Sequence, residues 1–227
     1  MSDSAQRPPV KLGVLISGEG TNLQAMIDAV ARGELRADIR VVISNKARAG
    51  GLERARRHGI PAAVIDHRSF ASREDFDRAL VASLRAREVE LVACAGFMRL
   101  LSPVMVRAFP NRIMNIHPAL CPAFPGVDAQ RQALEYGVRF SGCTVFFVSE
   151  GVDDGPVIVQ AVVPVYPDDD EARLSARIHA EEHRIYPAAI RLYQEGRLAV
   201  HGRRVLIQGA PSSSALPTLI NPAADPD

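Results

Sequence analysis

The sequence has little of what marks several large classes of protein. It contains only three cysteines, Cys94, Cys121 and Cys143, and no CxxC pair, so neither a disulfide framework nor a cysteine-based zinc site is expected. No apolar run approaches the length that crosses a membrane, and the first ten residues lack the apolar segment of a signal peptide. These absences predict a soluble protein of a reducing compartment, the cytoplasm.

The sequence also lacks a surplus of charge of either sign. Lys and Arg total 27 against 26 Asp and Glu, a formal net charge of +1, whereas binding to nucleic acid requires clustered surplus cations. The hydrophobic fraction of 47% and the charged fraction of 23% are those of a folded globular chain. We therefore expect small-molecule partners, no nucleic acid, no membrane, and a monomer or homodimer.

Short apolar runs alternate with segments of helical length in the first half of the chain. This alternation is typical of βαβ units around a parallel sheet that is buried on both faces. The predicted strands are residues 11–17, 39–44, 62–65 and 91–95, and the predicted helices are residues 22–30, 51–58, 73–87 and 103–109.

The pattern changes after a strand at residues 113–116. Two further strands, residues 144–148 and 156–165, are separated by only a short link, which favours an antiparallel pair. A helix with acidic residues at its start follows at 171–195, and residues 198–207 form a terminal hairpin or strand. The prediction is an α/β protein with a single Rossmann-like domain at residues 11–208, parallel in its N-terminal half and antiparallel afterwards. A flexible N-terminus (1–10) and a tail (209–227) flank it.

The loop after the first strand contains Gly18 and Gly20 and leads directly into a helix. Backbone N–H groups and the helix dipole at such a point form an anion site that a phosphate can approach closely. Leu23 stands where the dinucleotide fingerprint has its third glycine, and Asn45 stands where that fingerprint has an acid, so NAD is disfavoured. The loop predicts either a site for a phosphate monoester or a tight turn with an asparagine cap.

A second candidate site is the end of the strand at residues 113–116. Strand alternation puts Asn115 and His117 on the same face, where an amide and an imidazole could hold a developing oxyanion. The acidic link after residue 149 could deliver a carboxylate, Asp153, that keeps His117 charged and accepts a proton. The alternatives are a structural histidine before a proline and an ordinary acidic turn.

The helix at residues 171–195 contains His179, Glu182 and His183 in the HxxEH pattern of inverted zinc proteases. A catalytic zinc needs a third protein ligand, and few candidates follow His183. We therefore expect no metal, and an amphipathic helix whose polar face meets a ligand or another element.

Taken together, six short motifs resemble the glycinamide ribonucleotide formyltransferases, a folate-dependent family. The resemblance runs from about residue 11 to residue 198, and it is specific as a set because the motifs occur in the family's order. The motifs are SGEGTNLQ at 17–24, SNK at 44–46, AGFMR at 95–99, NIHP at 115–118, GCTV at 142–145 and DDGP at 153–156.

The resemblance implies transfer of a formyl group from 10-formyltetrahydrofolate to the amine of 5′-phosphoribosylglycinamide in purine synthesis, without a metal. The residues that match the family's catalytic trio are Asn115, His117 and Asp153. Those that match its phosphate and ribose contacts are Gly20, Thr21, Asn22 and Glu182, with Arg73 near the phosphate or the folate tail. Those that match the lining of its folate pocket are Met98, Arg99, Leu101, Ile113, Asn115, Glu150, Val152 and Asp153.

The chain departs from the family pattern at two positions. Phe146 stands where the family commonly has a histidine, and Glu19 stands where its phosphate loop is usually neutral. Three rivals are a formyltetrahydrofolate hydrolase, which usually carries an extra N-terminal regulatory domain, a methionyl-tRNA formyltransferase, which needs an RNA-binding domain, and a nucleotide-binding regulatory module without turnover. The hydrolase is disfavoured because only ten residues precede the first strand. The methionyl-tRNA formyltransferase is disfavoured because the chain is too short after the last strand to form an RNA-binding domain.

Overall fold

The computed structural model describes residues 7–209, 219 and 221. Within these residues the chain forms one nine-stranded sheet in the order β3-β2-β1-β4-β5-β6-β7-β9-β8. The strands are β1 Val10–Ile16, β2 Ala37–Ser44, β3 Ala62–Val64, β4 Leu91–Cys94, β5 Ile113–His117, β6 Phe140–Phe147, β7 Val157–Pro164, β8 Leu198–His201 and β9 Arg204–Ile207.

Helices cover both faces of the sheet. They are α1 Thr21–Ala31, α2 Gly50–Arg57, α3 Arg73–Arg85, α4 Pro103–Ala108, α5 Ala129–Tyr136 and α6 Glu171–Gln194, with a single 3₁₀ turn at His67–Ser69. One apolar core joins the sheet to α1, α2, α5 and α6, and the other joins it to α3 and α4. Alternation along β1 serves both cores, because Leu12, Val14 and Ile16 belong to the first and Leu15 to the second.

The direction of the strands changes in the middle of the sheet. The strands from β3 to β5 are parallel, whereas β5 pairs with β6 and β6 with β7 in antiparallel fashion. The predicted fold class is therefore confirmed, as is the terminal hairpin of β8 and β9. Because β1 has β2 on one side and β4 on the other, a crevice opens at the carboxyl ends of β1 and β4, where ligands bind in sheets of this kind.

The predicted elements differ from the observed ones mainly at their ends. Residues 1–6 of the predicted flexible N-terminus lie outside the described residues, and Val10 already belongs to β1. Of the predicted tail, Gly209, Leu219 and Asn221 are described, and the Asn221 amide donates to the carbonyls of Arg139 (2.7 Å) and Val165 (3.1 Å). The sequence indicated no element for α5, and β6 begins four residues before the predicted strand.

In the part of the chain that the structure describes, no helix combines the length and the apolar character needed to cross a membrane.

Candidate active site

His117, the last residue of β5, lies at the carboxyl edge of the sheet with 5% of its side chain exposed. Its Nε2 is 2.7 Å from the carbonyl oxygen of Phe124, and its Nδ1 is 3.5 Å from the Asp153 carboxylate. A carbonyl oxygen can only accept, so Nε2 carries a hydrogen. Both ring nitrogens therefore face oxygen acceptors, which fixes the orientation of the imidazole.

Asp153 comes from the link between β6 and β7, as the sequence predicted for the partner of His117. Its side chain is 14% exposed, and its Oδ2 accepts a hydrogen bond from the Gly126 N–H at 2.9 Å. Asp153 has a φ of 49°, a left-handed conformation that aspartate tolerates better than most residues. The structure thus brings the acidic link to the end of β5, where Asp153 and His117 lie within the distance of an ion pair.

Asn115 shares the face of β5 that ends in His117, as strand alternation predicted. In the sheet it lies between Cys94 of β4 and Phe146 of β6. Phe146, the residue that replaces a histidine of the family pattern, is 2% exposed, and its ring lies against the backbone of Gly155. The apolar ring of Phe146 therefore lies next to Asn115 in the sheet and next to Gly155, at the end of the link that carries Asp153.

Asn22 and Glu182 join the glycine loop to α6 beside this pair. The Asn22 amide nitrogen donates to Glu182 Oε2 at 2.8 Å, across 160 residues of sequence. Burial raises the pKa of Glu182 above its usual value, and the Asn22 hydrogen bond and the charges of His179 and His117 oppose that rise. The effect of His117, at the end of β5, is the smallest of these contributions.

Asn22 Oδ1 is buried and has no hydrogen-bond partner in the described structure. An unpaired buried acceptor costs free energy, about 1–3 kcal/mol. A ligand that donates a hydroxyl hydrogen at this point would remove that cost, and Glu182 beside it offers a second acceptor.

The loop before α1 has the form expected of an anion site. Gly20 caps the helix with a φ of 73°, and Thr21 and Asn22 open the first turn, whose N–H groups have no acceptor within the helix. The Glu19 carboxylate lies against Gly50 at the start of α2, where another helix N-terminus favours it.

A pocket of about 310 Å³ opens beside the start of α1, lined by Thr21, Gln24, Arg54 and His183 among others. The Nε2 of His183 is buried without a hydrogen-bond partner in the described structure. Burial and then the neighbouring His179 lower the pKa of His183, against the opposing effect of Asp28. Sequence reasoning assigned His183 no role beyond the rejected zinc motif, and only its place beside α1 in this pocket marks it as part of the site.

The family described as formyl transferase matches residues 10–190 of this chain. The chain belongs to the formyl transferase family. It is 45% identical over 196 residues to the phosphoribosylglycinamide formyltransferase of Escherichia coli (strain K12), which covers 86% of this chain and 92% of the E. coli protein. The predicted resemblance to the glycinamide ribonucleotide branch of the formyl transferase family, and with it the prediction of an enzyme, is confirmed.

Two further relatives agree. A crystal structure of glycinamide ribonucleotide transformylase 1 from Symbiobacterium toebii matches with a TM-score of 0.86 at 57% identity, covering 88% of this chain and 94% of that chain. The trifunctional purine biosynthetic protein adenosine-3 of Drosophila melanogaster is 52% identical over 189 residues, which cover 82% of this chain. This chain spans only 14% of the length of that protein.

Most residues predicted for the folate side of this formyl transferase site lie in two loops. Met98, Arg99 and Leu101 follow β4, with Met98 62% exposed, whereas Leu101 packs partly against the core under α3 and α4. Val152 is 46% exposed in the Asp153 link, and Glu150 in the same link accepts from Arg107 Nε at 3.1 Å. The exposed apolar side chains of Met98 and Val152 give each loop an apolar surface.

Two predicted residues are positioned differently from the expectation. Ile113 begins β5, is 1% exposed and belongs to the core with α3 and α4, so it has almost no surface to offer as a pocket wall. Arg73 begins α3, in the layer opposite α1 and α6. Asp77, one turn later, accepts from the Ser102 N–H, so the start of α3 lies near the segment that follows β4.

The histidines of the HxxEH motif and the cysteines take no evident catalytic position. His179 and His183 stack with ring centroids 6.5 Å apart, while Glu182 turns inward to Asn22. Among the described residues, no three His, Cys, Asp or Glu side chains are grouped as metal ligands. Burial raises the pKa of the Cys121 thiol, so the reactive thiolate is disfavoured there.

Sequence reasoning missed Thr144, a buried residue that organises the segment after His117. Its Oγ1 donates to the Ala119 carbonyl at 2.7 Å and accepts from the Cys121 N–H at 3.0 Å and from Gln160 at 3.0 Å. The only signal for this role was its membership of the GCTV motif, because hydrogen bonds between distant segments leave no periodicity in a sequence.

The raised pKa of Glu182 predicts a pH-dependent effect of Glu182→Gln on stability. Between the ordinary and the raised pKa, the unfolded state ionises before the folded state, so the wild type loses stability as pH rises through that window. The glutamine variant does not ionise, so its free energy of unfolding should rise relative to that of the wild type as pH increases above about 4, the ordinary pKa of glutamate, and through the raised pKa. Urea titrations at several pH values measure the difference; a gain that stays constant with pH would contradict it.

Proposed function

We propose that this chain transfers the formyl group of 10-formyltetrahydrofolate to the amine of 5′-phosphoribosylglycinamide, a step of purine synthesis, in the cytoplasm and as a monomer or homodimer. The observation that carries the proposal is the pairing of His117 with Asp153 at the end of β5, beside which stands the Asn22–Glu182 hydrogen bond at the start of α1. The relatives from E. coli and S. toebii are named for the same substrate, which supports the proposal.

In this proposal the phosphate binds at the start of α1, where Gly20, Thr21 and Asn22 offer backbone N–H groups. The ribose hydroxyls donate to Glu182 and to the unpaired Asn22 Oδ1. Together these contacts direct the glycinamide amine toward His117, which lies close enough to Glu182 for its charge to influence that carboxyl.

The folate co-substrate binds on the other side, between Met98, Arg99 and Leu101 after β4 and Glu150 and Val152 in the Asp153 link. Apolar surface from Met98 and Val152, both largely exposed, fits an aromatic ring system. Arg99 and Arg73 supply positive charge for a carboxylate tail. Bound together, the two substrates gain the advantage of proximity, which can be worth several kcal/mol.

The amine attacks the formyl carbon, and the carbonyl oxygen becomes an oxyanion. Asn115 and His117 donate hydrogen bonds to that oxyanion, and the substrate oxygen takes the place of the Phe124 carbonyl at His117 Nε2. Asp153 holds the charged imidazole and accepts the proton of the amine through a water molecule. The carbon–nitrogen bond to the folate then breaks, and the folate nitrogen leaves with the proton that Asp153 took from the amine, returned through the same water molecule.

The decisive experiment mixes the purified chain with both substrates and follows the folate absorbance and the formylated product. We expect transfer that needs the phosphoribosylglycinamide amine and survives exhaustive chelation. Loss of the formyl group without the amine would favour a hydrolase, binding without turnover would favour a regulatory module, and activity lost on chelation and restored by zinc would favour the metal interpretation.

The phosphate side can be tested at Thr21 better than at Gly20. A side chain at Gly20 would be strained at its φ of 73° and would lie 2.7 Å from Gly51 Cα, so a Gly20→Val variant damages the fold as well as the site. Thr21→Val keeps the shape and removes only an exposed hydroxyl at the first turn. We expect the KM for phosphoribosylglycinamide to rise about five- to tenfold and the KM for the folate to stay unchanged.

The matched control for Thr21→Val is Ser83→Ala, which removes a hydroxyl from α3 in the opposite layer. Equal increases of both KM values in Thr21→Val would mean that the loop is structural and would reject the phosphate assignment.

A further inference from the structure

Ser17 connects the end of β1 to the loop at residues 97–102, the segment that carries Met98, Arg99 and Leu101. Its Oγ accepts a hydrogen bond from the Met98 backbone N–H at 2.8 Å, and its own N–H donates to the Gly96 carbonyl at 3.0 Å. Ser17 is 4% exposed, whereas the Met98 side chain is 62% exposed. A buried hydroxyl on a neighbouring strand thus holds the backbone of an exposed loop residue.

Asn45, at the end of β2, fixes the direction of that hydroxyl. The single proton of Ser17 Oγ points to Asn45 Oδ1 at 2.6 Å, which leaves a lone pair for the Met98 N–H. Asn45 is itself 2% exposed, and its Nδ2 faces His67 Nδ1 at 3.3 Å. In this orientation the Asn45 oxygen accepts from Ser17 and the amide nitrogen lies toward His67.

This chain of contacts crosses the carboxyl edge of four adjacent strands. It starts at His67 after β3, passes through Asn45 after β2 and Ser17 after β1, and ends at Met98 after β4. Since Met98 and Arg99 are exposed, little packing by their own side chains fixes their backbone. The buried hydrogen bonds through Asn45 and Ser17 hold the Met98 backbone instead.

We infer that Ser17 and Asn45 are positioning residues for the folate: they hold the Met98 backbone so that the loop presents its side chains to the co-substrate. Neither residue touches a substrate in this account. The inference rests on the proposed function, because it needs residues 98–101 to contact the folate.

The test compares Ser17→Ala and Asn45→Leu with Asn45→Asp and the control Ser44→Ala. Asn45→Asp keeps an oxygen that accepts from Ser17, so it should preserve activity. Ser44→Ala removes a fully buried hydroxyl at the same strand end that contacts only the Lys46 backbone. Thermal unfolding of each variant measures its stability, and steady-state kinetics gives both KM values and kcat.

We expect Ser17→Ala and Asn45→Leu to raise the KM for 10-formyltetrahydrofolate about tenfold, with the KM for phosphoribosylglycinamide and kcat nearly unchanged. Asn45→Asp and Ser44→Ala should resemble the wild type. If Asn45→Leu does not fold, the comparison of Ser17→Ala with Ser44→Ala decides.

Three results would overturn the inference. In the first, Ser17→Ala raises both KM values together. In the second, the folate KM of Ser17→Ala equals that of Ser44→Ala. In the third, Asn45→Asp is as impaired as an Asn45→Leu variant that folds. A wild type without formyl transfer would instead reject the proposed function, and the inference with it, so the two failures are distinguishable.

Discussion

Replacing Asp153 with asparagine should lower kcat about a hundred- to a thousandfold and leave both KM values nearly unchanged. The amide can still accept from the Gly126 N–H, so the link keeps its position, but it cannot balance the charge of His117 or accept a proton. His117→Ala should have a similar effect. The double variant should be little slower than either single variant, because residues that act as one unit are not additive.

Steady-state kinetics of the two single variants and the double variant gives the comparison. The control is Asp154→Asn, which changes the adjacent acid, an exposed residue whose carboxylate contacts Ser149. Losses that multiply in the double variant would mean that His117 and Asp153 act independently. If neither single variant slows turnover by tenfold, about 1.4 kcal/mol, then the end of β5 is not the catalytic centre.

Gly142→Ala should lower the free energy of unfolding by about 3 kcal/mol or more. Gly142 lies in β6 opposite Val162 of β7, and an added Cβ would lie 1.9 Å from the Ala161 carbonyl oxygen and 2.8 Å from Leu120. Backbone cannot yield as the end of a flexible side chain can, so β6 and β7 would have to separate.

Urea unfolding of Gly142→Ala and of the control Gly18→Ala measures the effect. An added Cβ at Gly18 has no neighbour within 4 Å, and the backbone there has no left-handed φ, so the control should change stability by less than about 0.5 kcal/mol. Equal unfolding midpoints for the two variants would contradict the close approach of β6 and β7.

The elements that could be predicted are those whose signals are local. The apolar runs of β1, β2 and β4 and the start of α6 are correct to within about two residues. For α6, the Asp170 side chain accepts from the Arg173 N–H at 2.8 Å, the capping contact that an acidic helix start predicts. By contrast, Asp128, the residue that precedes α5, has a φ of 57° and makes no side-chain capping bond, so the start of α5 leaves little trace in the sequence.

The same distinction between local and long-range signals applies to the residues of the candidate site. Alternation along one strand was enough to put Asn115 and His117 on one face, because that spacing is a local property of β structure. The pocket wall predicted at Ile113 stays a prediction, because the same alternation does not say how deeply a residue lies, and Ile113 begins β5 in the core. Ser17, Asn45 and Thr144 were missed because their partners are distant in sequence.

The sequence by itself determined the chemistry and the family: the residue types, their order, and the strand ends and helix start at which they occur. Only the tertiary structure decided which groups meet, because hydrogen bonds, burial and charge depend on distances that the chain closes over long separations. Asn22 reaches Glu182 across 160 residues, and burial there changes the pKa of a carboxyl that the sequence shows merely as an acid. Gly20 is the clearest case. The sequence predicts a glycine for the approach of a phosphate, whereas the fold requires one for a left-handed φ and for the contact with Gly51.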